Sequence, residues 1–324
     1  LAASFASSPL MLIPLYGIIG GIGVGIAYGA PITTSAQWFP DKRGLAVGLT
    51  VLGFGFSSAI ITYMTRFLLG NGWGIMNILR MFGIVFIVLS IVLSMMLRLP
   101  SSGWKPSRMT TTISSDPVKI DFMREQMIGT SAFKGLWICY TIGALAGLTA
   151  IGIAGPVGKE VFINAGMSND AANNLIFALI LPFAIFNGLG RPIFGVLTDK
   201  LSPKKTAIIT YVLIILACLT IYIGYSSILA YIISFCILWG CLGGWLAIAP
   251  TATASYFGMR DNARNYGVVY TAYGAGAIIG GIVSAQAKDI LGAFQPFFLI
   301  VAGLAVLGII LALGLLKPPT MKSK

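Results

Sequence analysis

A short stretch near the start of the chain returns near its end. Thr33–Phe39 reads TTSAQWF and Thr251–Phe257 reads TATASYF. Each copy follows a glycine-rich apolar run and a proline, Pro31 in the first and Pro250 in the second. Each then passes through a charged loop, DKRG or MRDNARNYG, into another glycine-rich apolar run. Beyond the loop the copies stay aligned, so Gly48 matches Gly267, Phe54 matches Tyr273 and Gly55 matches Gly274. A chain that carries one helix–loop–helix unit twice is held to a duplicated architecture with internal pseudo-symmetry.

The solvent of that architecture is lipid. Mean hydropathy is +0.92 and charged residues make up only 9% of the chain, too few for a soluble surface of 324 residues. Nine apolar stretches recur, about 10–36, 44–69, 76–97, 135–157, 171–197, 206–225, 228–256, 266–286 and 293–316. Each is near the ~20 residues that cross a bilayer. Hydrocarbon leaves the backbone to satisfy its own hydrogen bonds, so continuous runs of this length predict helices, not barrel strands with their alternating pattern.

The net charge of +12 does not read as a nucleic-acid surface, because the basic residues sit on one side of the spans. They fill the loops at Lys42–Arg43, Lys200–Lys205 and Arg260–Arg264, the stretch 98–134 and the C-terminal tail, whereas Lys159 and Lys288 fall on the other side. That asymmetry predicts that these loops and the C-terminus are cytoplasmic, with the chain in the plasma (inner) membrane. Cys139, Cys218, Cys236 and Cys241 all lie inside spans and read as small packing residues. Histidine, the commonest general base and metal ligand, is absent, and no cofactor or metal is expected.

Since the first span corresponds to the seventh, the repeat unit is six spans. Residues 135–324 then form a complete six-helix bundle with a short tail, residues 98–134 a cytoplasmic linker, and residues 1–97 the last three helices of a first bundle. Three N-terminal spans are expected to be missing, so that the first loop can be cytoplasmic.

Two six-helix halves joined by a basic linker resemble the major facilitator superfamily. Gly190–Lys205 (GRPIFGVLTDKLSPKK) strengthens this: Gly195, Leu197, Asp199, Lys200, Lys204 and Lys205 resemble the superfamily's short cytoplasmic loop motif. Ser202 and Pro203 replace its usual glycine and basic residue. A narrower resemblance rests on residues 17–49, 187–200 and 265–281, which are similar to the fourth and fifth, eighth, and eleventh helices of the oxalate–formate antiporters and their monocarboxylate-transporter relatives. The resemblance implies an all-α membrane fold of two bundles that moves small carboxylates by alternating access.

Arg191 is the central candidate. A guanidinium inside a span costs ~2.5–3.5 kcal/mol on insertion scales and commonly faces a polar cavity. It lies eight residues before Asp199, roughly 12 Å along a helix axis. An always-charged fork at that depth suits a carboxylate, though a structural arginine bonded to backbone carbonyls is the competing reading. The resemblance implies that an arginine of the eighth helix, here Arg191, binds the substrate carboxylate. Where monocarboxylate transporters carry a proton-coupling aspartate one turn earlier, this chain has Asn187, and where the oxalate exchanger carries a second cation it has Tyr273. One buried cation fits a monoanion better than oxalate. Tyr270 lies one turn before Tyr273, and Phe54 is its repeat counterpart. Tyr28 matches an aromatic position of the family site, and Trp245 is a further candidate.

The acidic residues fall in loops, the linker or span ends, so no buried carboxylate is visible to carry a proton or pair with a cationic substrate. Asp199 with Lys200, and Asp41 with Lys42 and Arg43, read as cytoplasmic latches, with Gly195 part of the first motif. Gly17, Gly21, Gly25 and Gly29 share one helical face, as do Gly276 and Gly280, and Gly240 and Gly244, which predicts close helix packing. Arg66 and Arg80 are expected to snorkel outward. The leading functional expectation is an anion exchanger for formate-, lactate-, glycolate- or oxalate-type carboxylates, monomeric, with the lipid bilayer as its environment. The alternatives are a proton-coupled symporter with its proton site in the missing helices and a non-transporting anion sensor. An enzyme has no evident nucleophile or base to work with.

Overall fold

The computed structural model describes residues 1–101 and 121–319. Lys105, Arg108 and Lys119 of the linker and Lys322 and Lys324 of the tail lie outside them. Among the described residues nine helices are long and apolar enough to cross a membrane. They are α1 Pro9–Trp38, α2 Arg43–Gly70, α3 Ile75–Met96, α4 Ser131–Asn164, α5 Asn169–Leu201, α6 Pro203–Ile223, α7 Ile228–Phe257, α8 Asn262–Leu291 and α9 Gln295–Leu315. The helices overrun their apolar windows. α4 starts at Ser131, inside the stretch read as linker, and runs seven residues past the expected end at 157. Thr130 caps its start by accepting from the Phe133 amide at 3.1 Å.

α4 to α9 pack around a core filled by α4 and α7, the two most buried helices. The contacts are those a bilayer demands: with lipid as apolar as leucine, association rests on close approach at small residues. Gly276 and Gly280 of α8 meet α4, where a Cβ on Gly276 would stand 2.7 Å from the Thr141 oxygen. Gly190 of α5 abuts Gly240 of α7, and Gly244 lies against the Phe194 ring. The stripe Gly17–Gly29 differs, because a Cβ on any of its glycines would meet nothing within 4 Å. All four cysteines are free and buried, and the Cys139 and Cys241 thiols turn to backbone oxygens of Gly308 and Thr210.

Two loop glycine positions are decided by backbone geometry. At the end of α7, Gly258 has φ +85° and ψ −179°, a region open essentially to glycine alone. A side chain there would also collide with Asp121, whose carboxylate accepts from the Met259 and Arg260 amides at 3.0 and 3.3 Å. Asp121 and the buried Phe122, which lies edge-on to Phe257, dock this end of the linker onto the α7–α8 loop. Gly258→Ala is expected to cost about 1–3 kcal/mol and to undock it. Limited proteolysis reads this as faster cleavage near residue 121, and an unchanged pattern would refute it. Between α5 and α6, Ser202 stands where the loop motif has glycine and has φ +95°, ψ 154°. Ser202→Gly is therefore expected to raise the melting temperature, by relieving strain of about 1–3 kcal/mol; a lowered one would count against strain there.

The first three helices reach the rest of the protein mainly through α2, which lies along α5. Gly44 meets Gly195 backbone to backbone, a Cβ on Gly48 would stand 2.5 Å from the Arg191 carbonyl oxygen, and one on Gly55 2.5 Å from the Gly188 Cα. At the far end Tyr63 packs on Phe177 at 4.7 Å, and the Arg66 guanidinium lies 3.9 Å over the same ring. Arg66 thus binds α2 to α5 by a cation–π contact, and Arg80 lies 5.0 Å over Phe5; both, expected to snorkel, are exposed.

Candidate functional site

The α2–α5 contact carries Arg191 into the middle of the protein. Its side chain is 1% exposed, among the largest fully buried ones in the chain. Nη1 donates to the Val51 carbonyl oxygen of α2 at 2.7 Å, and Nη2 to Asn187 Oδ1, one turn earlier on α5, at 3.2 Å. Gly48 and Gly55 on either side of Val51 leave the α2 backbone bare enough for this approach. Asn187 is in turn fixed by donating from Nδ2 to the Trp239 carbonyl oxygen at 2.9 Å. It is a strut between α5, α7 and the guanidinium. A guanidinium has five N–H donors; two are spent on Val51 and Asn187, the Tyr28 hydroxyl lies within reach of the fork, and Nε has no hydrogen-bond partner among the described residues. Nor does any carboxylate of the described residues form an ion pair with it.

Around this cation stands a continuous run of aromatic rings from both ends of the sequence. Phe54 presents its face to the guanidinium at 5.1 Å and meets Tyr28 edge-on at 5.6 Å. Tyr28 stacks on Tyr270 at 5.2 Å, and Tyr270 on Tyr273 at 5.2 Å. The repeat counterparts Phe54 and Tyr273 therefore belong to one cluster. Two members were not anticipated: Tyr266, 5.6 Å from Tyr270, and Tyr140 of α4, 6.3 Å from Tyr273. The positive charge of Arg191 acts on the hydroxyls of Tyr28, Tyr266, Tyr270 and Tyr273. Trp245 takes a different place, stacked behind Tyr140 at 5.9 Å and against Tyr211 at 5.5 Å, wholly buried in the α4–α7 core.

The loop motif lies at the near end of the same helix pair. Asp199 Oδ1 and Oδ2 accept from the amides of Gly44 and Leu45 at 2.7 and 2.9 Å, so the carboxylate caps the first turn of α2 from another helix. The amides of a helix's first turn lack partners within it and attract negative charge. The Arg43 charge also bears on Asp199. Lys200, read with Asp199 as part of a cytoplasmic latch, is exposed and makes no ion pair with it. Gly195 is the residue that lets α2 come this close, and Asp41 sits in the turn before it, half-buried.

Residues 136–324, more than half of the chain, match the profile of the Major Facilitator Superfamily. The chain belongs to that superfamily. Among similar proteins, the oxalate:formate antiporter of Oxalobacter formigenes is 28% identical over 287 residues, 88% of this chain and 64% of that protein. The aspyridones efflux protein of Emericella nidulans is 26% identical over 304 residues, 92% of this chain and 57% of that protein. Monocarboxylate transporter 9 of Gallus gallus is 43% identical over 51 residues, 16% of this chain and 10% of that protein. The chain thus spans less than two thirds of the length of the first two. Membership in the superfamily and the nine membrane-length helices make it a multi-pass membrane protein of a transporter family, and the spread of cargo among these relatives leaves its substrate to the site.

Proposed function

We propose that this protein exchanges small organic monocarboxylates across the membrane by alternating access, with Arg191 as the clamp for the carboxylate. The observation that carries the reading is a buried guanidinium with no acidic counterpart among the described residues, an unpartnered Nε and a wall of aromatic rings. In a low-dielectric interior such a charge is costly unless something anionic joins it, and a fork–fork pair with a carboxylate supplies two parallel hydrogen bonds. Tyr28, Tyr270 and Tyr273 wall it in, Phe54 lies over it, and Asn187 holds its orientation.

The name of the Oxalobacter formigenes relative supports exchange of carboxylates. Asn187 supports exchange over proton symport, because an amide bonded on both sides offers no proton carrier beside the cation. Charge supports a monoanion: a dianion placed here meets one cation and several neutral phenols. Asp199 on the α2 N-terminus, helped by Arg43, is the latch of the state in which α2 and α5 touch. The C-terminus and the Asp199 end face the cytoplasm of an inner membrane, the protein acts as a monomer, and Trp245 shapes the site from behind.

The test is counterflow. Proteoliposomes containing the complete protein, preloaded with unlabelled carboxylate, should accumulate labelled formate, acetate, lactate or glycolate, with oxalate weaker. No uptake of any carboxylate by folded protein would remove the reading, and preferred uptake of oxalate would remove its one-cation argument.

A further inference from the structure

A cleft of about 560 Å³ opens between α4, α8 and the turn into α9, at the end of the bundle away from Asp199. Its lining includes Pro156, Lys159, Glu160 and Ile163 of α4, Lys288 of α8, and Phe294. At its base Lys288 pairs with Glu160, the one ion pair that joins two spans among the described residues. Lys288 also donates to the Gly292 carbonyl oxygen at 3.0 Å, and the second Glu160 oxygen accepts from the Tyr225 hydroxyl at 2.6 Å. Both carboxylate oxygens are thus spent, whereas Lys288 keeps one of its three N–H donors. Lys159 is exposed and forms no ion pair among the described residues. Two ammoniums therefore face one carboxylate, and the cleft is left with positive charge and unspent donors. The other walls are apolar, and beside the cleft Ile290 and Leu291 are 76% and 57% exposed. Depth adds a further constraint. α4 has 34 residues where ~20 cross the hydrocarbon, and its apolar stretch ends near residue 157. Lys159 and Glu160 follow directly, at the level of lipid head groups.

We propose that this cleft binds the head group of an anionic phospholipid, with Lys159 and Lys288 on the phosphodiester oxygens and the acyl chains along Ile163, Ile290 and Leu291. Basic pockets between spans suit such head groups, and each lysine near the membrane surface adds to the attraction. A dissolved phosphate would meet the same cations, but it cannot cover the apolar side chains beside them. A lipid does both, since every methylene laid on that surface leaves water or replaces a looser neighbour. A choline lipid fits less well: its own cation enters a cleft that already has positive charge in excess and a carboxylate with no oxygen to spare. The bound phosphate would bridge α4 and α8, the helices that Glu160 and Lys288 already join, and so brace this end of the bundle. The site lies roughly 30 Å along α4 from Tyr140, so it is independent of the carboxylate clamp at Arg191.

The experiment places the complete protein in phosphatidylcholine nanodiscs doped with a phosphatidylglycerol that carries a photoreactive group near the start of one acyl chain. After illumination, peptide mass spectrometry should find label on the segments 156–164 and 288–294, several-fold more than from the same probe with a choline head. Lys159→Gln should lower that label roughly fivefold, and Lys159→Arg should keep it. Lys159 is exposed and unpaired, so neither change disturbs folding, and unchanged label on the basic loops at the Asp199 end confirms it. Equal labelling by the glycerol and choline probes overturns the proposal, as does label indifferent to Lys159→Gln. Displacement of the lipid label by inorganic phosphate would make the cleft a site for dissolved anions and overturn the assignment to lipid. Absence of label from both segments leaves no lipid site there at all.

Discussion

Arg191→Gln is expected to abolish the proposed carboxylate exchange, by at least about a hundredfold, without unfolding the protein. Glutamine can still donate one hydrogen bond toward Val51 or Asn187, but it cannot offer a charge and two parallel donors to a carboxylate. Truncating one partner of a buried, hydrogen-bonded charge pair costs about 2–5 kcal/mol, and each 1.4 kcal/mol is tenfold. The rival role of Arg191 is structural, since its bonds to Val51 and Asn187 tie α2 to α5. Ligand-induced stabilisation separates the two. Substrate that binds the folded state raises the wild-type melting temperature. The variant should melt near the wild-type value without substrate and show no rise with it. A variant that melts far lower but still responds to carboxylate would make Arg191 a strut and not a clamp. Arg191→Lys should fail almost as badly, because a single ammonium cannot serve Val51, Asn187 and a carboxylate in the fork's geometry.

How much of this was legible in the sequence depends on what each residue needs from its neighbours. Long apolar runs need nothing beyond lipid, so all nine spans could be read directly. Their ends could not. α4 runs past Lys159 and Glu160 because Glu160 accepts from Tyr225 at 2.6 Å and pairs with Lys288 of α8, so the charges are met at the rim. Arg191 was legible as a charge in an apolar run, and Phe54 and Tyr273 through the repeat, which fixes equivalent places whatever fills them. Tyr266 carried a signal that went unused, since it precedes Tyr270 by four residues and Tyr273 by seven, one face of a helix. Tyr140 carried none: it sits in the well-buried α4, where a tyrosine reads as core. The partner of Asp199 was also out of reach, because backbone amides of another helix leave no trace in side-chain chemistry. The small-residue stripes show the same limit, for Gly276 and Gly280 find α4 whereas a Cβ on any glycine of the Gly17–Gly29 stripe would meet nothing within 4 Å. Spacing says that a face is smooth and not what lies against it.

Gly48 tests that last point at the place where fold and function meet. A Cβ there would stand 2.5 Å from the Arg191 carbonyl oxygen and 2.8 Å from the Arg191 carbonyl carbon and the Pro192 Cα. These are backbone atoms of α5, and they cannot rotate away as a side-chain tip would. Gly48→Ala must therefore push α2 off α5 at the level of the cation, stretching the 2.7 Å bond from Arg191 to Val51. Overpacking by one methyl costs about 1–3 kcal/mol, which biases the protein roughly ten- to a hundredfold against the state with these helices in contact. Gly48→Val adds two more methyl carbons and should nearly eliminate exchange. Gly53→Ala on the same helix is the control. Its Cβ would meet nothing within 4 Å, and alanine favours the helix by about 1 kcal/mol, so exchange should persist. Asp199→Asn should fall between the two, because it weakens the charge on the α2 N-terminus but leaves the glycine contact intact. The order Gly53→Ala, Asp199→Asn, Gly48→Ala, Gly48→Val in falling exchange is what a backbone-to-backbone hinge between α2 and α5 requires. Wild-type exchange by Gly48→Val would mean that the two helices need not touch at any step of the cycle, and that the contact positioning Arg191 is incidental to transport.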